Sequence, residues 1–334
     1  MKVCFVHNDN TREIHLASAF CEGVAKGGDQ YDMVLKSGKL HTDCDVVCMV
    51  GVKSDKIFRQ ARNAGKDVIF FDKGYFRHRG EQSRTWEYWR VAVNDHHPTT
   101  YISKAKHGPR RWELISTRLA VSPKPWRRDG NHVLYAGSSA KYHTFANLPP
   151  PTEYATEVVS GLKARTNRLI VYRPKPSWHE AIPVSGASYS DESENITAAL
   201  RNCWCLVTAG SNASFDAIMN GIPTIILGDA IARPISSHSL EDIESPLLPS
   251  DKELKQWLAN IAWCMFTERE MRQGLTWQAV KAQLMGSVLR DEDISWVADE
   301  TPAGNRAEAR RRLFEKKHKG GQAKNKKMKK KLVR

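Results

Sequence analysis

The sequence predicts an α/β protein with two Rossmann-like domains, a cleft between them, and a disordered basic tail. Short apolar β-prone runs alternate with segments of helical periodicity, which is typical of parallel βαβ units. The alternation stops in an Arg-, Lys- and Pro-rich stretch at residues 108–131 and resumes at residue 132. Apolar periodicity is lost from about residue 305. We therefore expect one domain over residues 1–129, a second with closing helices over 130–304, and a tail over 305–334.

The first half reads as a sheet of strands joined by short helices. The predicted strands cover residues 2–7, 31–35, 44–50, 68–71 and 91–93, and the predicted helices cover residues 11–24 and 54–64. The stretch 108–131 is predicted to be an interdomain connector that contains one short strand. Because ligands gather at the carboxyl ends of strands in such sheets, the residues just after each strand are the first candidates for a site.

The second half restarts the same pattern. The predicted strands cover residues 132–136, 169–172, 203–208 and 224–227, and the predicted helices cover residues 152–164, 252–266 and 268–284. Residues 185–195 are predicted to be a polar, Ser-rich loop, and residues 196–201 a helix end. The run CLVTAGSNASFDAIMNGIPTIILG holds the most information, since it predicts strand, tight turn, short helix, turn and strand. Gly221 fits the position that ends this helix, and Pro223 prevents the helix from resuming.

Composition places the chain among globular proteins. Its 334 residues suit two domains, and 41% of them are apolar. No apolar run approaches the roughly 20 residues that cross a bilayer, and the N-terminus turns polar after six residues, so it predicts a strand rather than a signal peptide. The seven cysteines are scattered without a C-x-x-C pair. We expect buried reduced thiols, no zinc site and a cytoplasmic protein.

The positive charge is concentrated in the tail. The whole chain carries a net charge of +14, yet residues 305–334 alone hold 14 Lys/Arg and 2 Asp/Glu. The remaining 304 residues hold 37 basic and 35 acidic groups, so the globular body is nearly neutral. Such a tail favours contact with nucleic acid through phosphate neutralisation. The alternatives are a tail that only keeps the protein soluble, or one that binds an anionic membrane surface. The candidate nucleic-acid-binding residues are Lys316, Lys317, Lys326, Lys327, Lys329, Lys330 and Lys331.

Acid and base candidates follow two strands of the first half. Asp72 leaves the strand at 68–71, and Asp95 and His97 leave the strand at 91–93. A carboxylate or an imidazole in that position can serve as a general base. The competing interpretation of Asp72 is an ordinary acidic residue at a strand end. Two further metal ligands are missing from the pattern, so we predict no metal site.

Anion-binding candidates follow the strands of the second half. Gly137 and Ser138 form a turn with the composition of a phosphate-binding loop, although the motif is neither a P-loop nor G-x-G-x-x-G. Arg173 and Lys175 alternate with Pro174 and Pro176 directly after the strand at 169–172. Solvated cations do not need rigid neighbours, so this arrangement favours an anion-binding role.

The run at residues 205–228, called here the central run, contains a helix start that is a second candidate anion site. Ser211 or Asn212 can cap the helix, and its free N–H groups with the positive dipole end can hold a phosphate. Asp216 lies in the first turn. Its carboxylate either accepts hydrogen bonds from the sugar hydroxyls of a nucleotide or only complements the helix dipole.

The central run resembles part of the GT-B glycosyltransferases. Many members carry a Glu-Ala-(x)n-Gly-x-Pro signature on the helix that receives a nucleotide-sugar donor. Here Asp216-Ala217 stands where Glu-Ala is usual, and Gly221-Ile222-Pro223 matches. The carboxylate is one methylene shorter, which affects the contact to ribose. The resemblance is architectural across most of the chain and extends to the motif over about twenty residues.

The resemblance implies a transferase that moves a hexose or pentose from a nucleotide-diphosphate sugar, with UDP-sugar favoured, without a tightly bound cofactor and without a metal. The second domain would bind the donor and the first the acceptor, whose hydroxyl would lose its proton to Asp72, or to Asp95 with His97. Arg173 and Lys175 would neutralise the leaving diphosphate. The implied donor-binding residues are Gly137, Ser138, Arg173, Lys175, Ser211, Asn212, Ser214 and Asp216.

A narrower resemblance bears on the acceptor. The runs DKGYFR, YWRVAVN with a following HP, and YRPKPSW are similar to phage-encoded transferases. That similarity implies a hydroxymethyl-pyrimidine in double-stranded phage DNA as acceptor, and the basic tail suits this polymer. Two alternatives stay open: a transferase acting on surface polysaccharide or lipid-linked glycan, and a non-catalytic DNA-binding protein on a degenerate GT-B scaffold.

Overall fold

The computed structural model describes residues 1–36, 43–52, 55–76, 87–176, 178–190 and 195–290. Residues Met1–Asp291 form one compact unit. The predicted basic tail, including the seven candidate nucleic-acid-binding lysines, lies outside the described residues. Within the described part, no helix has the length and apolarity needed to cross a membrane.

The first part of the chain alternates strands and helices as predicted. Its elements are β1 (Lys2–His7), α1 (Thr11–Lys26), β2 (Gln30–Leu35), β3 (Val46–Val50), α2 (Asp55–Asn63), β4 (Asp67–Lys73), β5 (Tyr88–Val93), α3 (Thr99–Lys104) and α4 (Arg110–Leu119). Asn10 caps α1 by accepting from the backbone N–H of Glu13, which fixes the chain directly after β1.

The second part repeats the alternation and ends in helices. Its elements are β6 (His132–Ala136), α5 (Ala140–Phe145), α6 (Pro151–Lys163), β7 (Leu169–Arg173), β8 (Ser188–Tyr189), α7 (Ile196–Ala199), β9 (Cys203–Thr208), α8 (Ala213–Met219), β10 (Thr224–Ile226), α9 (Asp251–Ala262), β11 (Met265–Thr267), α10 (Glu268–Arg272) and α11 (Leu275–Leu284). Short 3₁₀ helices cover Arg233–Ile235 and Leu240–Glu244.

The strands form two sheets, which confirms the predicted α/β class with two Rossmann-like sheets. One sheet has the order β11-β5-β4-β3-β1-β2, and the other has the order β10-β9-β6-β7-β8. All pairs of the second sheet are parallel. At one edge of the first sheet, β5 pairs in antiparallel fashion with both β4 and β11. The predicted boundary near residue 130 precedes β6, and β11 returns to the first sheet; the division into domains stays a prediction.

Four predicted elements were wrong in detail. The stretch 108–131 contains helix α4 rather than a short strand, because Trp112, Ile115 and Leu119 form one buried face that packs against α9. The helix predicted over 252–266 ends at Ala262, and the last residues of that range pair with β5 as a strand. The helix predicted over 268–284 is two helices separated at Gly274, whose φ of 91° a helix does not accommodate. The loop predicted at 185–195 contains the two-residue strand β8.

The two sheets share buried contacts. One apolar cluster contains Tyr75 and Phe76 from the segment after β4 together with Phe215 of α8 and Trp257 of α9. The segment before β6 also packs on α8: at Gly221 (φ 72°) a Cβ atom would overlap the carbonyl oxygen of Pro125. Glycine is therefore required there both by conformation, as predicted, and by close approach. All seven cysteines are buried, which confirms their predicted burial.

Candidate functional site

The site is built around a buried cation, Arg90 of β5. Its side chain is 0% exposed, and a buried guanidinium must be paired to be tolerated. One terminal nitrogen, Nη2, donates to Asp72 Oδ2 at 3.1 Å and lies 2.9 Å from His96 Nε2. The other, Nη1, donates to Tyr75 Oη at 2.8 Å and lies 3.1 Å from His97 Nδ1. We call Asp72, Tyr75, Arg90, His96 and His97 the Arg90 cluster.

Strand pairing explains why the cation is buried. Arg90 lies directly opposite Asp72 in the antiparallel pair of β5 with β4, so the two side chains are cross-strand neighbours. On its other side β5 pairs with β11, where Met265 is opposite Arg90. With a strand on each side, β5 is an interior strand of the sheet.

A left-handed turn brings the two histidines back to this cation. Because β5 is antiparallel, the chain leaves it at the opposite end of the sheet from Asp72. Asn94 adopts a φ of 63°, and its side-chain oxygen accepts from the Val68 N–H at 2.8 Å. Asparagine tolerates this conformation better than most residues. The following residues fold back, so that the His96 ring packs against the ring of Phe70.

The cluster fixes the charge of its members. Burial opposes ionisation of Asp72, but the contact with His96 and the charge of Arg90 outweigh it and hold the pKa of this carboxyl well below its usual range. Burial, with a contribution from Arg90, lowers the pKa of His96 to about 4. The same two causes lower the pKa of His97. At neutral pH the cluster therefore contains an anionic Asp72, a cationic Arg90 and two neutral imidazoles.

The three predicted acid/base candidates have different surroundings. Asp72 keeps 32% of its side chain exposed, so it can meet a ligand. His97 is fully buried, and its Nδ1 lies 2.6 Å from Tyr75 Oη. Asp95 is half-buried, and its charge raises the pKa of Asp229. The structure thus brings Asp72 and His97 to one cation and leaves Asp95 beside another carboxylate.

The segment after β7 of the second sheet contributes a cation, Lys175, that acts on the Arg90 cluster. Lys175 follows β7 and remains accessible to solvent. Partial loss of hydration lowers the pKa of Lys175, while the charge of Asp72 acts in the opposite direction and that of Arg90 adds to the lowering. Lys175 is therefore an electrostatic neighbour of the Arg90 cluster, although it belongs to the other sheet. Arg173, at the end of β7, is half-buried.

The turn before α8 also approaches the cluster. Arg90 Nη1 donates to Asn212 Oδ1 at 3.4 Å. Ser211 Oγ accepts from the backbone N–H of Ala213 at 3.2 Å. Ser214 is fully buried and donates its hydroxyl to the Ser211 carbonyl oxygen at 2.9 Å. Asp216 lies half-buried in the first turn of α8, as predicted.

A second link between the sheets involves Asp229, which follows β10. Its carboxylate accepts from Thr99 Oγ1 of α3 at 2.7 Å, and its backbone carbonyl accepts from Tyr142 Oη at 2.9 Å. Burial raises the pKa of Asp229, and the neighbouring Asp95 raises it further. Tyr142 reaches this position only because residue 210 is glycine, since a Cβ atom there would overlap the tyrosine ring.

The carboxyl edge of the second sheet carries buried polar groups of another kind. Ser138, after β6, is 5% exposed, and Ser190, after β8, is 7% exposed. Among the described residues, neither hydroxyl has a hydrogen-bond partner, nor does the indole nitrogen of Trp178 in the segment after β7. Gly137 lies beside Ser138 with its backbone N–H bonded to the Arg173 carbonyl oxygen at 2.9 Å. Adjacent strands thus place these groups at one edge.

Sequence reasoning missed Arg90, Tyr75, Asp229 and Tyr142. The available signal for Arg90 was its position as a cation inside the apolar run YWRVAV. The other three are ordinary in sequence and gain their roles from contacts between the two sheets. Arg77 and Arg79, two cations that follow Asp72 and could meet an anionic ligand, lie outside the described residues. In the described ranges no group of three or more His, Cys, Asp or Glu is arranged for a metal ion; metal independence stays a prediction.

Neither a protein-family model nor a curated protein matches the chain. Among solved structures, the β-Kdo 2,4-transferase of KpsC from Thermosulfurimonas dismutans matches 78% of this chain and 90% of its own, at 14% identity and a TM-score of 0.47. The β-Kdo 2,7-transferase of KpsC from the same organism matches 83% and 100%, at 12% identity and a TM-score of 0.48. Spinosyn rhamnosyltransferase SpnG, complexed with thymidine diphosphate, matches 83% and 100%, at 9% identity and a TM-score of 0.30. At this level of similarity, function has to be argued from the residues of this chain.

Proposed function

We propose that the protein is a glycosyltransferase that moves a sugar from a nucleotide-diphosphate sugar to a hydroxyl acceptor. One observation carries the proposal: an ionised, solvent-facing carboxylate of the first sheet, Asp72, is an electrostatic neighbour of an accessible cation of the second, Lys175. Sugar transfer needs this pair of charges. Positive charge develops on the sugar carbon and negative charge on the departing diphosphate, and each is stabilised by the opposite charge.

The donor binds, in this proposal, at the carboxyl edge of the second sheet. The buried hydroxyls of Ser138 and Ser190 have no partner among the described residues, and a buried polar group without a partner costs about 1–3 kcal/mol. A ligand that accepts hydrogen bonds from them offsets that cost. At Gly137 a Cβ atom would come within 3.2 Å of the Tyr172 ring, so glycine lets this turn pack closely beside the two hydroxyls.

The diphosphate then lies between this edge and α8. Lys175 and Arg173 neutralise its charge as the bond to the sugar breaks. The turn residues Ser211 and Asn212 precede the helix. Ser214 acts through the shape of this turn, because its buried hydroxyl already donates to Ser211. Asp216 takes the ribose hydroxyls.

Asp72 serves the acceptor side. Its low pKa makes it a weak base toward an unreacted hydroxyl, since efficient general bases have a pKa near the working pH. It therefore accepts the hydrogen bond of the acceptor hydroxyl and orients it. As the new C–O bond forms, the hydroxyl oxygen becomes positively charged and strongly acidic. The proton then passes to the carboxylate, while the electron pair of the broken bond leaves with the diphosphate.

For the acceptor we propose DNA that carries hydroxymethyl-pyrimidines. Residues 305–334 carry 14 Lys/Arg against 2 Asp/Glu, and such a density of cations supports salt-sensitive, sequence-blind binding of a phosphate polymer. A full-length variant with the seven candidate nucleic-acid-binding lysines of the tail replaced by glutamine should lose DNA affinity and keep nucleotide affinity. Loss of binding to anionic vesicles instead, with DNA affinity unchanged, would favour a lipid-linked glycan acceptor.

The transferase proposal is tested by turnover. The full-length protein is incubated with a panel of nucleotide sugars and with hydroxymethylated or unmodified DNA, and mass spectrometry measures the released nucleotide and the glycosylated base. We expect one donor to be consumed. The Asp72→Asn variant should not consume it, because the reaction requires the Asp72 carboxylate. Asp251→Asn, at an exposed carboxylate at the start of α9, is the matched control and should retain activity. If no nucleotide is released from any donor, with any hydroxyl acceptor, the proposal is wrong.

A further inference from the structure

We propose that Arg90 is a positioning residue, which ties the solvent-facing carboxylate of Asp72 to the first turn of α8 through Asn212. The two sides of the site, one on each sheet, would then be set in place by one buried guanidinium. This inference deepens the transferase function proposed above and rests on it. Arg90 is itself 0% exposed, so it acts through its neighbours and not on substrate.

The contact to Asp72 is fixed by the sheet. The two residues are opposite each other in the β4–β5 pair, and Nη2 donates to Oδ2 at 3.1 Å. The other carboxylate oxygen, Oδ1, accepts from the backbone N–H of Lys73 at 2.7 Å. Both oxygens of Asp72 therefore have defined donors, which limits the rotation of the carboxylate.

The contact to Asn212 is the unusual one. An asparagine directly before a helix ordinarily accepts from the backbone N–H of the second or third helical residue. Asn212 precedes α8 but makes no such bond, and its backbone has helical angles (φ −60°, ψ −15°). Its side-chain oxygen accepts instead from Arg90 Nη1 at 3.4 Å. The side chain that could cap the helix is thus turned toward a cation of the other sheet.

Three further groups contact the guanidinium and fix its orientation. Tyr75 Oη accepts from Nη1 at 2.8 Å, His97 Nδ1 lies 3.1 Å from the same nitrogen, and His96 Nε2 lies 2.9 Å from Nη2. The rings of Tyr142 and Phe145, from the second half of the chain, pack against His96. A lysine has one point charge on a flexible stem and cannot make these directed contacts at the same time.

A mutant cycle tests the tie. Arg90→Lys should lower kcat about 30-fold or more, and Asn212→Ala about tenfold, because each releases the α8 turn from the cluster. In the Arg90→Lys background, Asn212→Ala should cost less than about twofold more, since contacting residues are non-additive. Additive losses would overturn the proposal.

The acid side of the pH profile separates positioning from stability. The charges that act on Asp72 are those of Arg90 in the cluster, Arg12 of α1 and Lys175 across the site. The His96 ring contacts the carboxylate, and Lys73 donates its backbone N–H. In Arg90→Lys the acid limb of kcat/KM should move to higher pH, because the paired guanidinium is lost. Arg111→Lys is the control: Arg111 is 3% exposed and bonded to Glu270 and to the carbonyl oxygens of Ala262 and Met265. The Arg111→Lys variant should lose stability, while the acid limb of its kcat/KM profile stays at the same pH. A limb that moves equally in both variants, or in neither, contradicts the proposal.

A second cycle needs neither activity nor a change at Arg90. Asp72→Asn and Asn212→Ala each remove one partner of the guanidinium, and both side chains are partly exposed. Measured by urea unfolding, the two changes should be coupled by about fivefold or more in the folding equilibrium constant. Coupling without any nucleotide-sugar turnover would mean that the tie exists and the transferase function is wrong. Turnover without coupling would support the transferase function and would show that Arg90 does not tie Asp72 to Asn212.

Discussion

The carboxyl edges of the two sheets are built in opposite ways. At the first, a buried guanidinium binds a carboxylate, a tyrosine and two histidines. At the second, the buried groups are the neutral Ser138, Ser190 and Trp178, which have no hydrogen-bond partner among the described residues, and the nearby cation Lys175 is accessible. The first edge is charged and its members bond one another, although Arg90 Nε, His96 Nδ1 and His97 Nε2 have no hydrogen-bond partner among the described residues. The second edge offers uncharged donors.

This difference indicates a division of labour. Fixed charges that are bonded within the protein need little reorganisation during a reaction, which suits the side where bonds change. Donors that are buried without protein partners suit the side where a ligand is held. The same parallel-strand architecture therefore provides, in the proposed transferase, a prepared reaction side and a binding side.

Removing the charge from the reaction side should have the largest effect. Asp72→Asn keeps the size of the side chain but removes the anion, and we expect kcat/KM to fall by about 10³-fold, or about 4 kcal/mol. Steady-state kinetics with the preferred donor measures the loss. Turnover near that of the wild type would show that Asp72 takes no part in the reaction. The proposed contrast between the carboxyl edges of the two sheets would then be wrong.

The buried histidine of the reaction side predicts an acid-labile fold. His96 has its pKa lowered from 6.5 to about 4, so the unfolded chain binds this proton more tightly. The free energy of unfolding should therefore fall as pH drops from about 7 to 4, with about 3 kcal/mol from this residue. Urea unfolding of the wild type and of His96→Gln at both pH values measures the difference. An equal pH dependence in the two proteins would show that His96 is not held neutral by its surroundings.

Lys175 should have an intermediate effect. Lys175→Ala removes the cation next to the proposed diphosphate, and kcat should fall about 50-fold because charge on the leaving group is no longer neutralised. Lys175→Arg should recover part of the loss, and Lys252→Ala, at an exposed position of α9, should have none. Equal losses in the two alanine variants would show that the effect is one of general charge.

The binding side should respond through KM. Ser138→Ala removes a buried hydroxyl without a partner among the described residues, so stability should stay equal or rise slightly. The KM for the donor should rise about fivefold, or about 1 kcal/mol, with kcat unchanged. A lower melting temperature with an unchanged KM would assign the hydroxyl to the fold instead of the ligand.

The sequence predicted the strand ends of the second sheet better than the surroundings of Asp72. Gly137, Ser138, Arg173 and Lys175 follow parallel strands, and residues at the carboxyl ends of such strands can be chosen from local pattern alone. Asp72 was found by the same rule. The site around it was not, because it depends on pairings that local pattern does not contain.

Arg90 shows what was missing. Its burial requires β11, a strand that lies far along the chain and reads locally as the end of a helix. Its neighbours His96 and His97 require that β5 run antiparallel and that Asn94 turn the chain back. Helix α4 was missed for a related reason, since its buried face becomes evident only against α9.

The most direct test of the account is calorimetric titration of the full-length protein with nucleoside diphosphates and their sugars. We expect one nucleotide to bind, with affinity reduced about fivefold in Ser138→Ala and nearly unchanged in Asp72→Asn, because binding and reaction lie on different sheets. If no nucleotide binds, or if Asp72→Asn weakens binding as much as Ser138→Ala does, the proposed division between the two edges is wrong.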